Sequence, residues 1–287
     1  MNPPTPRNPG KPKFFDSHNH LNDPAFEGEL ELVVARAFEA GVKGFLVVGY
    51  NLESSRRAVE LAETLPWTFA AVGLHPHEAR VFSDDLLAEL RALAEHERVV
   101  AIGEIGLDYH YHHSTPEEQK RALRAQLDLA RELDLPVSLH IRKAFPDMFE
   151  ELAAFPGVAG VFHCFSGGPR EARQALEMGF YISYSGFLTY GSRKLEKALR
   201  QTPLDRLLIE TDAPYLAPGE YKGGRNEPAY LPITARKVAE VLEMPLDQVA
   251  RATYENARRL FRLPIPPYEE PEEEDLSWNE ENEEEAL

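Results

Sequence analysis

The chain has 287 residues, of which 43% are hydrophobic and 28% charged, and it carries a formal net charge of −17. That length allows one large domain or two smaller ones, with enough apolar side chains for a sizeable core. A single cysteine excludes an intramolecular disulfide, and no apolar run approaches the ~18 residues of a membrane span.

The charge is distributed unevenly. Eleven acidic residues and no basic ones lie between Pro266 and Leu287, so the rest of the chain carries a net charge of only −6. A segment of that composition cannot bury a core, so residues 266–287 are expected to form a disordered acidic tail whose candidate ligand is a basic partner. Residues 1–12 are proline-rich and lack the apolar stretch of a secretory signal, which predicts a flexible extension. A single domain is then expected over residues 13–265. The lone Cys164 suits a reducing, cytoplasmic setting.

Within that span, short apolar runs alternate with segments of helical period. Strands are predicted at 13–18, 43–49, 68–75, 99–104, 136–140, 157–163, 180–185 and 206–212. The clearest helical patterns are EGELELVVARAFEAG, LESSRRAVELAETL, SDDLLAELRALAEH, TPEEQKRALRAQLDLARELD and GPREARQALEMG, with two final helices near 233–242 and 246–260. Thr115-Pro116 reads as an N-cap followed by proline in the first turn, and Gly41 and Gly179 stand where helices should end. Eight strands alternating with helices over ~250 residues fit an α/β fold, a (β/α)8 TIM barrel, better than a doubly wound open sheet.

The strand ends carry the chemistry. The first ends in His18, with His20 just beyond, and others end in His75, Glu104, His140, His163 and Asp212. In a barrel these C-terminal ends converge on one mouth, where such enzymes keep their active sites. His18 and His20 are two residues apart and share a face in extended chain. Four histidines and two carboxylates (His18, His20, Glu104, His140, His163 and Asp212) suit Zn²⁺, Mn²⁺ or Ni²⁺, with Mg²⁺ admitted by the carboxylates. Six ligands exceed the need of one catalytic zinc and suffice for one or two divalent ions, a pair being bridged by a carboxylate.

In chain order, the motifs DSHNHL (16–21), GLHPH (73–77), GEIGLDY (103–109), LPVSLHIRKA (135–144), FHCFSG (162–167), LLIETDAPYL (207–216), RNEPAYL (225–231) and ENARRLF (255–261) resemble the TatD-related metal-dependent deoxyribonucleases of the amidohydrolase superfamily. The resemblance spans about residues 14–262. It implies a metal-dependent hydrolase that cleaves phosphodiester bonds of DNA, single-stranded or frayed, from the 3′ end. It further implies that His18, His20 and Asp212 hold a first metal, that Glu104 bridges, and that His140 and His163 hold a second.

A metal-activated hydroxide is expected to attack phosphorus, with Asp212 as proton acceptor and His75 contacting the scissile phosphate or acting as an acid. Arg142, Lys222 and Arg225 are the candidate phosphate-binding cations, and Asn226 would orient its loop or touch substrate. His110, His112 and His113 read as surface-loop residues, Asp108 as a loop anchor, and Asp16 as a supporting carboxylate behind the histidines. Alternation should turn Cys164 away from the metals as a core thiol. The same ligands could serve an ester, amide or aminoacyl-tRNA hydrolase, and the acidic tail could serve a non-catalytic adaptor.

Overall fold

The computed structural model describes residues 12–268. Residues 1–11 of the expected extension and 269–287 of the expected acidic tail lie outside the described residues. The strands are β1 (Phe14–Asn19), β2 (Val42–Val48), β3 (Thr68–Val72), β4 (Val99–Asp108), β5 (Val137–Arg142), β6 (Gly160–Phe162), β7 (Tyr181–Tyr184) and β8 (Leu207–Ile209). All neighbours pair in parallel and in sequential order, as a barrel requires. Beyond the strand ends, Asp212 N–H donates to the His18 carbonyl (2.9 Å) and His20 N–H to that of Ala213 (2.8 Å), which brings β1 and β8 together.

The helices are α1 (Leu30–Ala40), α2 (Leu52–Thr64), α3 (Asp84–Ala94), α4 (Pro116–Glu132), α5 (Phe145–Ala153), α6 (Pro169–Glu177), α7 (Arg193–Leu199), α8 (Leu231–Leu242) and α9 (Leu246–Leu260). None among the described residues is long and apolar enough to cross a membrane. Thr115 caps α4 as expected, its hydroxyl accepting from Glu118 N–H while the Glu118 carboxylate accepts from Thr115 N–H. Gly41 ends α1 at φ 98°, a left-handed conformation that glycine adopts without a Cβ clash. Helices α5 and α7 were not among the clearest sequence patterns, because nine and seven residues give few turns in which to show a period.

Two apolar clusters divide the strand side chains. Phe14, Phe45, Val47, Val72, Leu139 and Ile182 pack with the surrounding helices. Phe15, Leu46, Phe69, Val161 and Leu208 form the second cluster, together with Tyr254, Ala257 and Phe261 of α9 and the residue after it.

Register shifts interrupt this alternation where the site is built. Strict alternation would put Phe15 and His18 on opposite faces, and a shift between Asp16 and Asn19 lets His18 join Ser138 inside. A second shift, between Ile102 and Ile105, falls at Glu104. Glu104 therefore lies mid-strand rather than at the expected strand end. At Gly106 (φ 154°) a Cβ would come within 1.9 Å of the His140 carbonyl oxygen, so only glycine lets β4 and β5 approach this closely.

Phe162, fully buried, sits among Phe180 (ring centroids 5.2 Å apart), Phe149 (5.8 Å) and Phe145 (6.5 Å). Phe162→Ala is expected to cost about 3–5 kcal/mol through lost burial and the cavity left behind. Urea denaturation checks this, read as a lower midpoint at unchanged slope.

Candidate metal centre

Glu104 lies at the middle of the site. Its Oε2 faces His18 Nε2 and His20 Nε2, each at 3.6 Å. Its Oε1 faces His163 Nε2 at 2.8 Å, His140 Nδ1 at 2.9 Å and His75 Nε2 at 3.4 Å. Asp212 Oδ1 stands 3.5 Å from His20 Nε2 and 3.9 Å from His18 Nε2. Three sets of donors converge closely enough to hold an ion: His18, His20 and Glu104; His18, His163 and Asp212; and His75, Glu104 and His140. All six expected ligands are thus together, and His75 stands beside them.

The far ring nitrogens separate the expected ligands from His75. His20 Nδ1 can only donate to the Val48 carbonyl (2.9 Å), which leaves the Nε2 lone pair facing inward. His140 Nε2 points at Asp108 Oδ2 (3.1 Å) and His163 Nδ1 at Glu210 Oε1 (3.2 Å), so their inner nitrogens are likewise free to ligate. His18 Nδ1 meets Ser138 Oγ at 3.1 Å. His75 is reversed: its Nδ1 accepts from His77 N–H (3.1 Å), so the neutral ring carries its proton on Nε2, facing the cavity. That nitrogen is a hydrogen-bond donor, not a lone pair.

Burial and neighbouring charge set the protonation tendencies of these groups. Burial would raise the Glu104 carboxyl, but the charge of His163 and the hydrogen bonds of His140 and His163 hold it well below the ordinary range. Burial pushes His75 down to about 4, so its ring is neutral near pH 7. For His163, the Glu104 and Glu210 carboxylates outweigh burial and hold the imidazole well above its ordinary value. Imidazole nitrogens and carboxylate oxygens without a thiolate fit a borderline divalent ion such as Zn²⁺, Mn²⁺ or Ni²⁺.

The sequence reading missed Glu210 and the role of His77. Glu210 is fully buried, and its Oε1 also accepts from Cys164 N–H (2.7 Å). The signal was present in the acid that ends the apolar run LLI, two residues before Asp212. Asp108 is the anchor expected: Oδ1 accepts from His110 N–H and Tyr111 N–H, and Oδ2 faces His77 and His140. Asp16 accepts from Thr211 N–H and hydroxyl, bracing the segment before Asp212.

Other expectations are corrected by the geometry. Cys164 lines the cavity rather than the core, because β6 stops at Phe162 and Cys164 adopts φ 40°, which ends the alternation. Burial and the nearby Asp212 charge push its thiol well above the ordinary value. Arg225 faces away from the cavity: it donates to the Ala25 carbonyl, pairs with Glu29 and Glu227, and lies over Phe26. Asn226 is fully buried, with its amide donating to the carbonyls of Thr211 and Tyr215, so it braces the loop. Lys222 lies over Tyr190 and does not line the cavity. The loop after β8 folds back toward α1 at Arg225 and Glu227, which takes Arg225 and Asn226 from the mouth. Arg142 does line the cavity, and among the described residues no carboxylate pairs with it. His112 and His113 are exposed and His110 half-buried in the loop between β4 and α4, off the cavity wall.

The cavity over the donors measures ≈ 680 Å³. Residues 15–262 match the sequence pattern of the TatD related DNase family. The chain belongs to that family. It is 41% identical over 253 residues to the uncharacterized metal-dependent hydrolase YabD of Bacillus subtilis, covering 87% of this chain and 99% of that one. It is 42% identical over 259 residues to the 3′-5′ ssDNA/RNA exonuclease TatD of Pectobacterium parmentieri, covering 87% of this chain and all of that protein. The solved structure of YJJV, a TatD homolog from Escherichia coli, superposes with a TM-score of 0.83 at 34% identity, over 88% of this chain and 98% of that one. Like these relatives, this TatD-family chain is a metal-dependent hydrolase, and its fold is the barrel that the sequence pattern suggested.

Glu210 Oε1 faces the outer ring nitrogen of His163 and so orients that ring from outside the donor cluster. Glu210→Gln is therefore expected to lower metal affinity ~10–100-fold while the chain stays folded. Titration of the metal-stripped protein with Zn²⁺ or Mn²⁺ measures it, with circular dichroism as the control.

Proposed function

We propose that this TatD-family chain degrades single-stranded DNA from its 3′ end by divalent-metal-dependent phosphodiester hydrolysis. The observation that carries the reading is the placement of Glu104, whose two oxygens face two separate groups of histidines at the barrel mouth. His18, His20 and Asp212 would hold one ion, Glu104 would bridge, and His140 and His163 would hold the second. Bound there, divalent ions supply Lewis acidity and lower the pKa of a water near phosphorus.

The chain's own residues do the rest. Asp212 stays ionised against burial because of the histidines around it, and it accepts the proton of the attacking water. Neutral His75 directs its Nε2–H at a non-bridging phosphate oxygen, and because it is neutral it acts as a hydrogen-bond donor rather than as a strong acid. Arg142, with no carboxylate partner among the described residues, supplies charge for a neighbouring phosphate. A cytoplasmic setting accords with the lone thiol of Cys164.

The test incubates metal-loaded protein with single-stranded DNA labelled at either end. Wild type is expected to shorten the strand from the 3′ end, and chelation is expected to abolish this. Asp212→Asn should lose ~10²–10⁴-fold in rate, and Glu104→Ala should lose bound metal as well. Intact DNA alongside hydrolysed esters or amides would overturn the nuclease reading. In a separate comparison, His75→Ala should drop kcat ~10²–10³-fold with metal content unchanged, and loss of metal in that variant would make His75 a ligand instead.

A further inference from the structure

Six large hydrophobic side chains are strongly exposed among the described residues. Four of them, Leu32, Trp67, Val81 and Tyr221, are scattered, as single exposed apolar groups commonly are. The other two, Tyr111 (42% exposed) and Tyr215 (52% exposed), both line the cavity over the metal donors. Tyr111 sits just beyond β4 and Tyr215 just beyond β8. In a closed sheet of eight sequential strands, β4 and β8 are opposite each other, so the two rings stand on opposite rims with the metal donors between them.

Each ring is held in place by its surroundings. The Tyr215 hydroxyl donates to Asp23 Oδ2 (3.1 Å), and its ring meets His20 edge-on at 5.9 Å. Tyr111 N–H is held by Asp108, the edge of His77 lies 5.3 Å from its ring, and the Arg142 guanidinium lies 4.8 Å from its centroid. Aromatic surface fixed at the rim of a polar centre adds little to the fold. It does offer flat faces on which planar groups can stack.

We propose that Tyr111 and Tyr215 are base-stacking residues of two subsites on opposite rims, each taking the face of an unpaired nucleobase on one side of the scissile phosphate. Arg142 binds a backbone phosphate on the Tyr111 side. The inference rests on the nuclease reading and deepens it: bases inside a duplex have both faces covered, so the two rings select unpaired strands without reading sequence.

The test measures the ratio of kcat/KM for a single-stranded DNA and for the same strand with tetrahydrofuran abasic residues at its 3′ end. Wild type is expected to favour the base-bearing strand by roughly 5- to 150-fold per stacked base. Tyr111→Leu and Tyr215→Leu should each reduce the ratio, and Tyr111→Phe and Tyr215→Phe should restore it, since the ring and not the hydroxyl is required. The ratio is internal to each variant and does not depend on how much of the preparation is active. Fluorescence anisotropy of both strands on an Asp212→Asn background reads the same discrimination in variants too slow to assay. A wild type that degrades both strands equally, or leucine variants that keep the full ratio, would overturn the stacking role and leave the nuclease reading intact. A wild type that cleaves neither strand would overturn the nuclease reading, and this inference with it.

Discussion

The site depends on one carboxylate. Glu104 is buried amid five imidazoles, with one oxygen toward His18 and His20 and the other toward His75, His140 and His163. An ionised carboxylate in that position would be costly without partners, and its partners would repel one another without it. The register shift in β4 and the glycine at 106 follow from this need. They let a strand interior turn an acid into the mouth while β5 stays close enough to present His140.

Around that centre, the outer hydrogen bonds assign roles to histidines that otherwise look alike. Val48 O, Asp108 and Glu210 each tie up the far nitrogen of a histidine and leave the near one free to ligate. The backbone N–H of His77 does the opposite to His75 and turns its proton toward the cavity. A donor beside a cluster of acceptors suits an anion held against cations, which is the situation of a phosphodiester at a metal centre. The same logic reaches the rim, where Asp108 holds the loop of Tyr111 and Asp23 holds Tyr215.

Much of this was legible in the chain. The alternation of strands and helices, Thr115 as a cap, Gly41 as a helix stop, and six candidate metal-binding side chains after apolar runs all come from local pattern, since burial and backbone preference act over a few residues. Local pattern failed where the chain leaves regular structure. Cys164 was misplaced because alternation was carried past the end of β6. Arg225 was assigned to substrate because it follows β8, whereas ion pairs turn it toward α1; of the two roles expected for Asn226, its buried amide bonds favour orienting the loop.

The sequence by itself determined the fold class and named the six side chains that the fold brings together at the mouth, because periodicity and residue type are one-dimensional properties. Only the tertiary structure decided which nitrogen of each histidine faces inward, that Glu104 lies between two histidine groups, that Glu210 stands behind His163, and which cation lines the mouth. Those facts depend on contacts such as Glu104 to His163 and Arg225 to Glu29, between residues far apart in the chain, and spacing along the chain does not encode their directions.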